Sequence, residues 1–150
     1  MKITTKQNNI IFLEGKEKIL QKLFSSTEFG YLAVGYNSSD DTNGFINVDP
    51  EDEVTPNGFY EISEDSTYAR VPLSFHSIIN RDEDNGKVTA KFTAELDLDN
   101  IINNIPINQI AIVDSDDKNS ASTTFFAAAV TETFVKSEKL ALVFVIEITI

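Results

Sequence analysis

Acidic side chains are the groups in this sequence that could most readily do chemistry, and one acidic run begins like a calcium-binding loop. Asp114 and Asp116 alternate along the chain, and alternate carboxylates can converge on a hard cation. The match then ends, because Lys118 stands at the fifth position, Asn119 at the sixth, which requires glycine, and Phe125 at the twelfth, which requires a bidentate glutamate. A solvated turn is therefore the favoured interpretation, and a weak cation site of another kind is the alternative.

Two further acidic clusters, Asp40–Asp41 and Glu51–Glu53, lie among turn-forming glycines and prolines. Like charges this close repel each other and normally remain in water. Carboxylates are so numerous in the chain that no motif singles out one pair as the acid and base of a glycoside hydrolase. Glycan hydrolysis by paired carboxylates is therefore the least favoured of the functions considered.

Histidine and cysteine offer little chemistry in this sequence. His76 is the single histidine, and there is no cysteine, so a multi-histidine metal site, a thiolate ligand, a thiol nucleophile and a disulfide are all excluded. No serine stands in a Gly-x-Ser-x-Gly motif, and Gly35–Gly44 lacks the Gly-Lys-Ser/Thr of a phosphate loop. We predict a structural or surface role for His76, and no catalytic, cofactor-binding or metal-binding residue.

The charge of the chain argues against two classes of partner. With 24 acidic and 12 basic residues the net charge is −12, which repels nucleic-acid phosphates and anionic lipid headgroups. Met1–Lys6 lacks the apolar segment of a signal peptide. The longest apolar run, Leu140–Ile146, is seven residues, far short of the roughly 20 that a spanning helix needs. We predict no nucleic-acid partner, no membrane partner, and neither a signal peptide nor a transmembrane segment.

The length and the 41% hydrophobic content predict a single domain over residues 1–150. Residues 1–28 are predicted to form an N-terminal arm and one short amphipathic helix over Lys16–Ser25, where Ile19, Leu20, Leu23 and Phe24 recur at helical spacing. Gly15 should either break the preceding apolar stretch or begin the helix. Residues 36–58 combine acidic residues with Gly and Pro and are predicted to be a long acidic surface loop.

The remaining segments alternate between apolar and polar residues with the period of a β-strand, and several are bounded by turn-forming residues. The predicted strands are Tyr31–Gly35, Phe59–Ile62, Thr67–Ile79, Lys87–Leu96, Ile107–Val113, Thr123–Phe134 and Lys139–Ile150. This pattern predicts a mainly β protein, an antiparallel β-sandwich or flattened barrel of about six to seven strands with one N-terminal helix.

Four local features refine this prediction. Pro72 cannot donate to a strand ladder, so its strand should lie at a sheet edge or contain a bulge. The Asn85-Gly86 pair predicts a hairpin between the flanking strands. The last strand is apolar on both faces, which predicts a central position in its sheet. Core packing is the favoured role of Phe125–Ala129, with a contact between subunits as the alternative.

Taken in order, several segments resemble those of small tail-fibre or tail-collar-like virion proteins of tailed bacteriophages. The similar segments cover nearly the whole chain: Gly15–Leu23, Tyr31–Gly35, Tyr68–Leu73, Val88–Leu96, Ile107–Asp114 and the terminal strand. The chain departs from that family at Ala111, near which many relatives have glycine, and it has no trimeric shaft after Ile150. The resemblance therefore implies an adaptor, collar, baseplate or capsid-surface subunit in place of a fibre, and it carries over no catalytic residues.

The sequence is compatible with three functions. The leading hypothesis is a non-enzymatic structural protein, located in the virion, that binds other virion proteins and copies of itself through sheet edges and loops. The alternative is a host-surface or carbohydrate-binding β-sandwich that uses a loop aromatic such as Tyr36 or Phe45. The third is the carboxylate-dependent glycan hydrolase, for which no motif positions a pair of residues.

Overall fold

A computed structural model describes residues 12–24, 29–38, 58–62, 68–99, 106–120, 122–137 and 139–150 of the chain. Within these ranges it contains one helix and seven strands. They are α1 (Leu13–Leu23), β1 (Tyr31–Gly35), β2 (Val71–Pro72), β3 (Ser74–Asp82), β4 (Lys87–Leu96), β5 (Pro106–Val113), β6 (Phe125–Val135) and β7 (Leu142–Thr149). Most of the predicted acidic loop (residues 39–57) and of the predicted N-terminal arm (residues 1–11) lies outside the described residues.

The strands form two antiparallel sheets, one in the order β2-β1-β5-β6 and one in the order β3-β4-β7. In the first sheet β1 is paired with β5 along its whole length, from Tyr31 opposite Val113 to Gly35 opposite Gln109. The predicted class, a mainly β protein of sandwich type with one short helix, is confirmed. No helix in the described ranges is long and apolar enough to cross a bilayer.

The segment predicted as one strand, Thr67–Ile79, is two strands in different sheets. The chain leaves the first sheet after Pro72, which lacks an N–H for the ladder, and enters the second at Ser74. Leu73 between them is buried, and its N–H donates to the Gly30 carbonyl at 2.7 Å. Pro72 therefore lies on an edge strand, as predicted, but the edge strand is only two residues long.

The core lies between the two sheets, and β4 supplies much of it. All five residues on the inward face of β4 are buried, which confirms the alternation predicted for Lys87–Leu96; they are Val88, Ala90, Phe92, Ala94 and Leu96. They share one apolar cluster with Leu32 and Val34 of β1 and with Ile107 and Ile112 of β5. Full burial of a large apolar side chain stabilises a fold by about 1.5–3 kcal/mol, so this interface dominates the stability of the sandwich.

Helix α1 packs on the second sheet through Leu20 and Phe24, and Phe24 meets Phe92 edge-on with a ring separation of 5.7 Å. It begins three residues before the predicted start, because the Lys16 N–H already donates to the Phe12 carbonyl and Leu13 packs against the core. Gly15, predicted to break the preceding segment or to begin the helix, thus lies within its first turn. Ile19, assigned to the buried stripe, is exposed.

The predicted hairpin between β3 and β4 is confirmed. Gly86 has a φ of +65°, which glycine adopts without steric cost. The Asp82 carboxylate accepts hydrogen bonds from the Asn85 N–H at 3.1 Å and from the Asn85 Nδ2 at 2.8 Å. These bonds lower the pKa of Asp82, since they favour its charged form. The turn is held by its own side chains and by Lys16 of α1, whose Nζ donates to the Gly86 carbonyl.

The prediction of a central position for the last strand is wrong. Strand β7 lies at the end of the three-stranded sheet, paired with β4 on one side only among the described strands. Its inward residues Leu142, Phe144, Ile146 and Ile148 are half-buried, and its outward residues are exposed. The central position was predicted because both faces of this strand are apolar, but one of these faces is open to solvent.

Candidate functional site

A buried ion pair joins two segments that flank the first sheet. The Arg70 Nε and Nη2 donate to the two oxygens of Glu61 at 2.9 and 2.8 Å, a bidentate arrangement. The side chains are only 3% and 13% exposed. The Arg70 Nη1 donates to the Thr123 hydroxyl at 2.9 Å and to the Ser115 carbonyl at 3.0 Å. One guanidinium thus connects the residue 58–62 segment, its own segment and the turn before β6.

Tyr68 extends this cluster into the centre of the sheet. Its hydroxyl donates to Glu61 Oε2 at 2.9 Å and accepts from the Val34 N–H at 3.0 Å. Burial raises the pKa of Tyr68 well above its usual value, and the negative charge of Glu61 acts in the same direction. Tyr68 therefore stays protonated, and it satisfies a backbone N–H of β1 that would otherwise be buried without a partner.

Two amide side chains of β5 act from the other side: Gln109 bonds to the residue 58–62 segment, and Asn108 bonds to Asn37, whose Nδ2 in turn donates to the Gly58 carbonyl. Gln109 accepts from the Tyr60 N–H at 3.0 Å and donates to the Gly58 carbonyl at 2.6 Å. Asn108 accepts from the Asn37 N–H at 2.9 Å and donates to the Asn37 carbonyl at 3.0 Å. The residue 58–62 segment, predicted as a strand over Phe59–Ile62, is present as a single bridge between Gly35 and Glu61.

The close approach of this segment explains Gly35. A Cβ on Gly35 would lie 2.5 Å from the Tyr60 carbonyl oxygen and 3.0 Å from Gln109 Oε1. The backbone carbonyl cannot move away without breaking the hydrogen bond that it accepts from the Tyr36 N–H at 3.0 Å. We call Glu61, Tyr68, Arg70, Asn108 and Gln109 the polar clamp. The hydrogen bonds described for its members join parts of the chain to one another, so the polar clamp acts as a structural element.

The structure separates the residues that the sequence singled out. His76 is exposed, and its Nδ1 lies 2.9 Å from the Ser77 hydroxyl. Within the described ranges, no three acidic, histidine or cysteine side chains converge where a metal ion could bind. Tyr36 is half-buried beside the residue 58–62 segment. The clusters Asp40–Asp41 and Glu51–Glu53, and also Phe45, lie outside the described residues.

The acidic run before β6 forms a turn in which the side chains bond to the local backbone. Asp114 accepts from the Thr124 N–H at 2.7 Å, and Asp117 accepts from the Asn119 N–H at 2.9 Å. Lys118, which breaks the calcium-loop pattern, donates to the Tyr68 carbonyl at 2.8 Å. The solvated turn favoured from the sequence is therefore the structure that these residues adopt.

The opposite side of the sandwich exposes apolar side chains. Six large ones on β6, β7 and the intervening connection are each 42–60% exposed. We call this set the apolar rim; its members are Phe126, Val130, Val135, Leu140, Val143 and Val145. The two strands carry one charged residue each, Glu132 and Glu147. Large exposed apolar patches with few charges are typical of surfaces that bind other proteins.

A groove of about 250 Å³ lies between β6 and β7. Its walls come from three strands and are almost entirely apolar; they are residues 110–112 of β5, 126–129 of β6 and 146–149 of β7. The groove is smaller than the roughly 300–1,000 Å³ of typical small-molecule pockets, although it exceeds the roughly 150 Å³ cavity that holds a benzene ring. It can therefore accept one or two apolar side chains of a partner.

Core packing, the role favoured for Phe125–Ala129, is confirmed for both of its phenylalanines, and the alternative of a contact between subunits stays a prediction. Phe125 packs on Phe59 with ring centroids 5.6 Å apart. Phe126 contacts Phe24 and Phe29 at 4.7 and 5.2 Å but stays 42% exposed, beside Ala127 and Ala129, which are also exposed. The segment thus packs within the chain through both phenylalanines and leaves Ala127 and Ala129 exposed.

The polar clamp and the apolar rim were both missed by the sequence interpretation. An arginine between Ala69 and Val71 was a signal for the clamp, since a charge in an apolar strand is buried only with a partner. For the rim, the signal was the same two-faced apolar character that led to the wrong position for β7.

The chain is thus a two-sheet antiparallel β-sandwich with a buried polar clamp on one side and an exposed apolar rim on the other. Comparison of the chain with protein-family models, with curated proteins and with solved structures finds no match.

Proposed function

We propose that this chain is a structural, non-enzymatic subunit of a bacteriophage particle that acts through contacts with other virion proteins and with copies of itself. The observation that carries the proposal is the apolar rim. Val143 and Val145 are 60% and 57% exposed on a strand with one charged residue, in a chain whose net charge is −12. Such side chains gain by leaving water, and a partner protein is the surface that can cover them.

The polar groups of the described residues support a role in binding over one in catalysis. The buried ion pair between Arg70 and Glu61 is saturated by hydrogen bonds within the chain. Tyr68 is held in its neutral form, which is unsuited to a general base near neutral pH. These groups give the sandwich one rigid arrangement, which an assembly subunit needs in order to present the same surface in every copy.

The location in a phage particle rests on the resemblance of the ordered segments described above. Those segments include α1, β1, β4, β5 and β7, so the resemblance spans both sheets. An adaptor, collar, baseplate or capsid-surface position suits a domain that offers a lateral apolar surface.

Mass spectrometry and immunogold labelling of purified particles, from a genome that encodes this chain, test the proposal. We expect the chain in a fixed copy number per particle, located at one structural position. A double variant, Val143→Lys with Val145→Lys, should reduce its incorporation at least tenfold. Glu83→Lys, in the turn between β3 and β4, changes the charge by the same two units at the end of the sheet near Ile150 and should leave incorporation unchanged. Particles that lack the wild-type chain altogether would refute the proposal.

A further inference from the structure

The edges of the two sheets differ in how well they are protected from pairing with another chain. Four of the described strands lie at sheet ends: β2, β3, β6 and β7. Unpaired edges associate unless they are short, bulged, charged or interrupted by proline. Strand β2 is two residues long and includes Pro72. Strands β3 and β6 each show two register shifts against their neighbours, and β3 also ends in the charged pair Arg81 and Asp82.

Strand β7 has none of these protections. Its eight residues pair with β4 without a register shift, from Leu142 opposite Leu96 to Thr149 opposite Thr89. It contains no proline and one charged residue, Glu147. Among the described strands it is the one regular, nearly uncharged edge, and the groove of about 250 Å³ lies beside it. A long, regular, apolar edge of this kind is a template for pairing with another chain.

We propose that β7 pairs antiparallel with β7 of a second copy, about a two-fold axis at Val145, which joins two three-stranded sheets into one six-stranded sheet. The sequence of β7 is self-complementary in this register. Val145 lies opposite the partner's Val145, Phe144 opposite the partner's Ile146, and Leu142 opposite the partner's Ile148. An isologous contact of this type closes as a dimer. The proposal deepens the proposed function, on which it rests, by naming a second copy as one partner.

Charge favours this edge for contact between copies. Two chains of net charge −12 repel each other, so they approach best where acidic groups are sparse. In the proposed register Glu147 lies opposite the partner's Val143, and Glu95 is the neighbour of Val143 on β4. Facing carboxylates are then separated by two strand spacings, roughly 10 Å, which is about one Debye length at physiological salt. Lys91, the β4 neighbour of Glu147, offsets its charge within each copy.

The pairing also explains the composition of β7. Side chains on the same face of paired strands contact each other, so a partner strand shields both the inward and the outward apolar residues of β7 from the side. The second copy covers the outward Val143 and Val145 from the side and the groove along the inner face. The strand that is at an edge in one chain thus becomes central in the dimer.

Single-cysteine variants test this register directly, because the chain has no cysteine of its own. Residues directly opposite in an antiparallel pair have Cα atoms roughly 4.5–5.5 Å apart, within the range of a disulfide. We expect Val145→Cys to form a covalent dimer on mild oxidation. Leu142→Cys and Ile148→Cys should cross-link with each other when mixed, and each alone only weakly. Two controls, Ser74→Cys on β3 and Val130→Cys on β6, should remain monomeric on denaturing gels.

Sedimentation of the cysteine-free wild type supplies the second measurement, with a dimer expected at micromolar concentration. A wild type that stays monomeric up to 100 µM, or stronger cross-linking of Val130→Cys than of Val145→Cys, would overturn the pairing. The two proposals fail separately. A monomer in solution that is present in particles leaves the proposed function standing without the β7 pairing. A dimer with the predicted cross-links that is absent from particles would support the β7 pairing and refute the proposed function.

Discussion

The two long sides of this sandwich are opposites in polarity. Around β1 and its neighbours β2 and β5, charged and amide groups are buried and bonded within the chain, as in the polar clamp. On the side of β6 and β7, valine and phenylalanine side chains face solvent. Buried polar groups are tolerated when each of them has a hydrogen-bond partner. Exposed apolar side chains are typical of a surface that another molecule covers. The difference indicates that the first side specifies the fold, whereas the second is available for assembly.

The largest effect should come from breaking the ion pair of the clamp. Arg70→Ala leaves the Glu61 carboxylate largely buried without its counter-charge, which typically costs about 3–5 kcal/mol of unfolding free energy. Arg81→Ala is the matched control, since Arg81 pairs with Glu17 at the same 2.8 Å but the side chains are 44% and 25% exposed. Exposed pairs contribute about 0–1 kcal/mol. Urea unfolding of both variants checks the prediction, and equal losses would contradict the structural role of the clamp.

The contact of the residue 58–62 segment with β1 is tested by Gly35→Ala. The added methyl group would overlap the Tyr60 carbonyl, so we expect a loss of about 1–3 kcal/mol in unfolding free energy. Gly86→Asn is the control, because a Cβ there meets nothing within 4 Å and asparagine tolerates its positive φ. A Gly35→Ala protein as stable as the control would show that the segment packs less closely on β1 than described.

Tyr68→Phe should cost about 1–2 kcal/mol below pH 9, because the Val34 N–H loses its buried acceptor. The loss should depend on pH. The folded-state pKa of Tyr68 is raised, so its protonated form contributes stability that is fully present below the unfolded pKa of about 10 and falls above it. The unfolding free energy of the wild type should therefore decline more steeply than that of the variant between pH 9 and 11. Unfolding free energies that fall equally with pH in the wild type and the variant would contradict the raised pKa of Tyr68.

The smallest effect on stability is expected at the apolar rim. Val143→Thr replaces a 60% exposed side chain, and exposed substitutions away from special features stay within about 0.5 kcal/mol. The same variant should weaken association in sedimentation, because its outward methyl groups are covered only in a complex. A large loss of monomer stability with unchanged association would show that the rim stabilises the fold and does not serve assembly.

Local patterns in the sequence were sufficient for much of the fold. Strand β4 alternates between core and surface, and the Asn85-Gly86 pair supplies the turn before it, so both follow from adjacent residues. The same applies to α1, whose position was predicted to within three residues at its start. In each case the structural determinants lie within one element.

The remaining features depend on residues that are distant in the sequence. Arg70 is buried because Glu61 and Thr123 surround it, and four strands separate Arg70 from Thr123 in the sequence. As a result the start of the predicted strand Thr67–Ile79 does not place apolar residues inward: the polar Tyr68 and Arg70 are buried and Ala69 is exposed. Periodicity alone could not place β7 either, because two apolar faces fit a central strand of one chain and an edge strand that a second chain covers.

The pairing of β1 with β5 has a consequence for how the chain folds. The β3–β4 hairpin joins neighbouring residues and can form early, whereas Tyr31 needs Val113 as its partner. Contacts between distant residues slow folding, because the intervening chain must lose entropy before they form. During synthesis β1 can find its main partner only after Val113 has left the ribosome. We therefore expect the hairpin to be an early folding unit and the first sheet to be completed late.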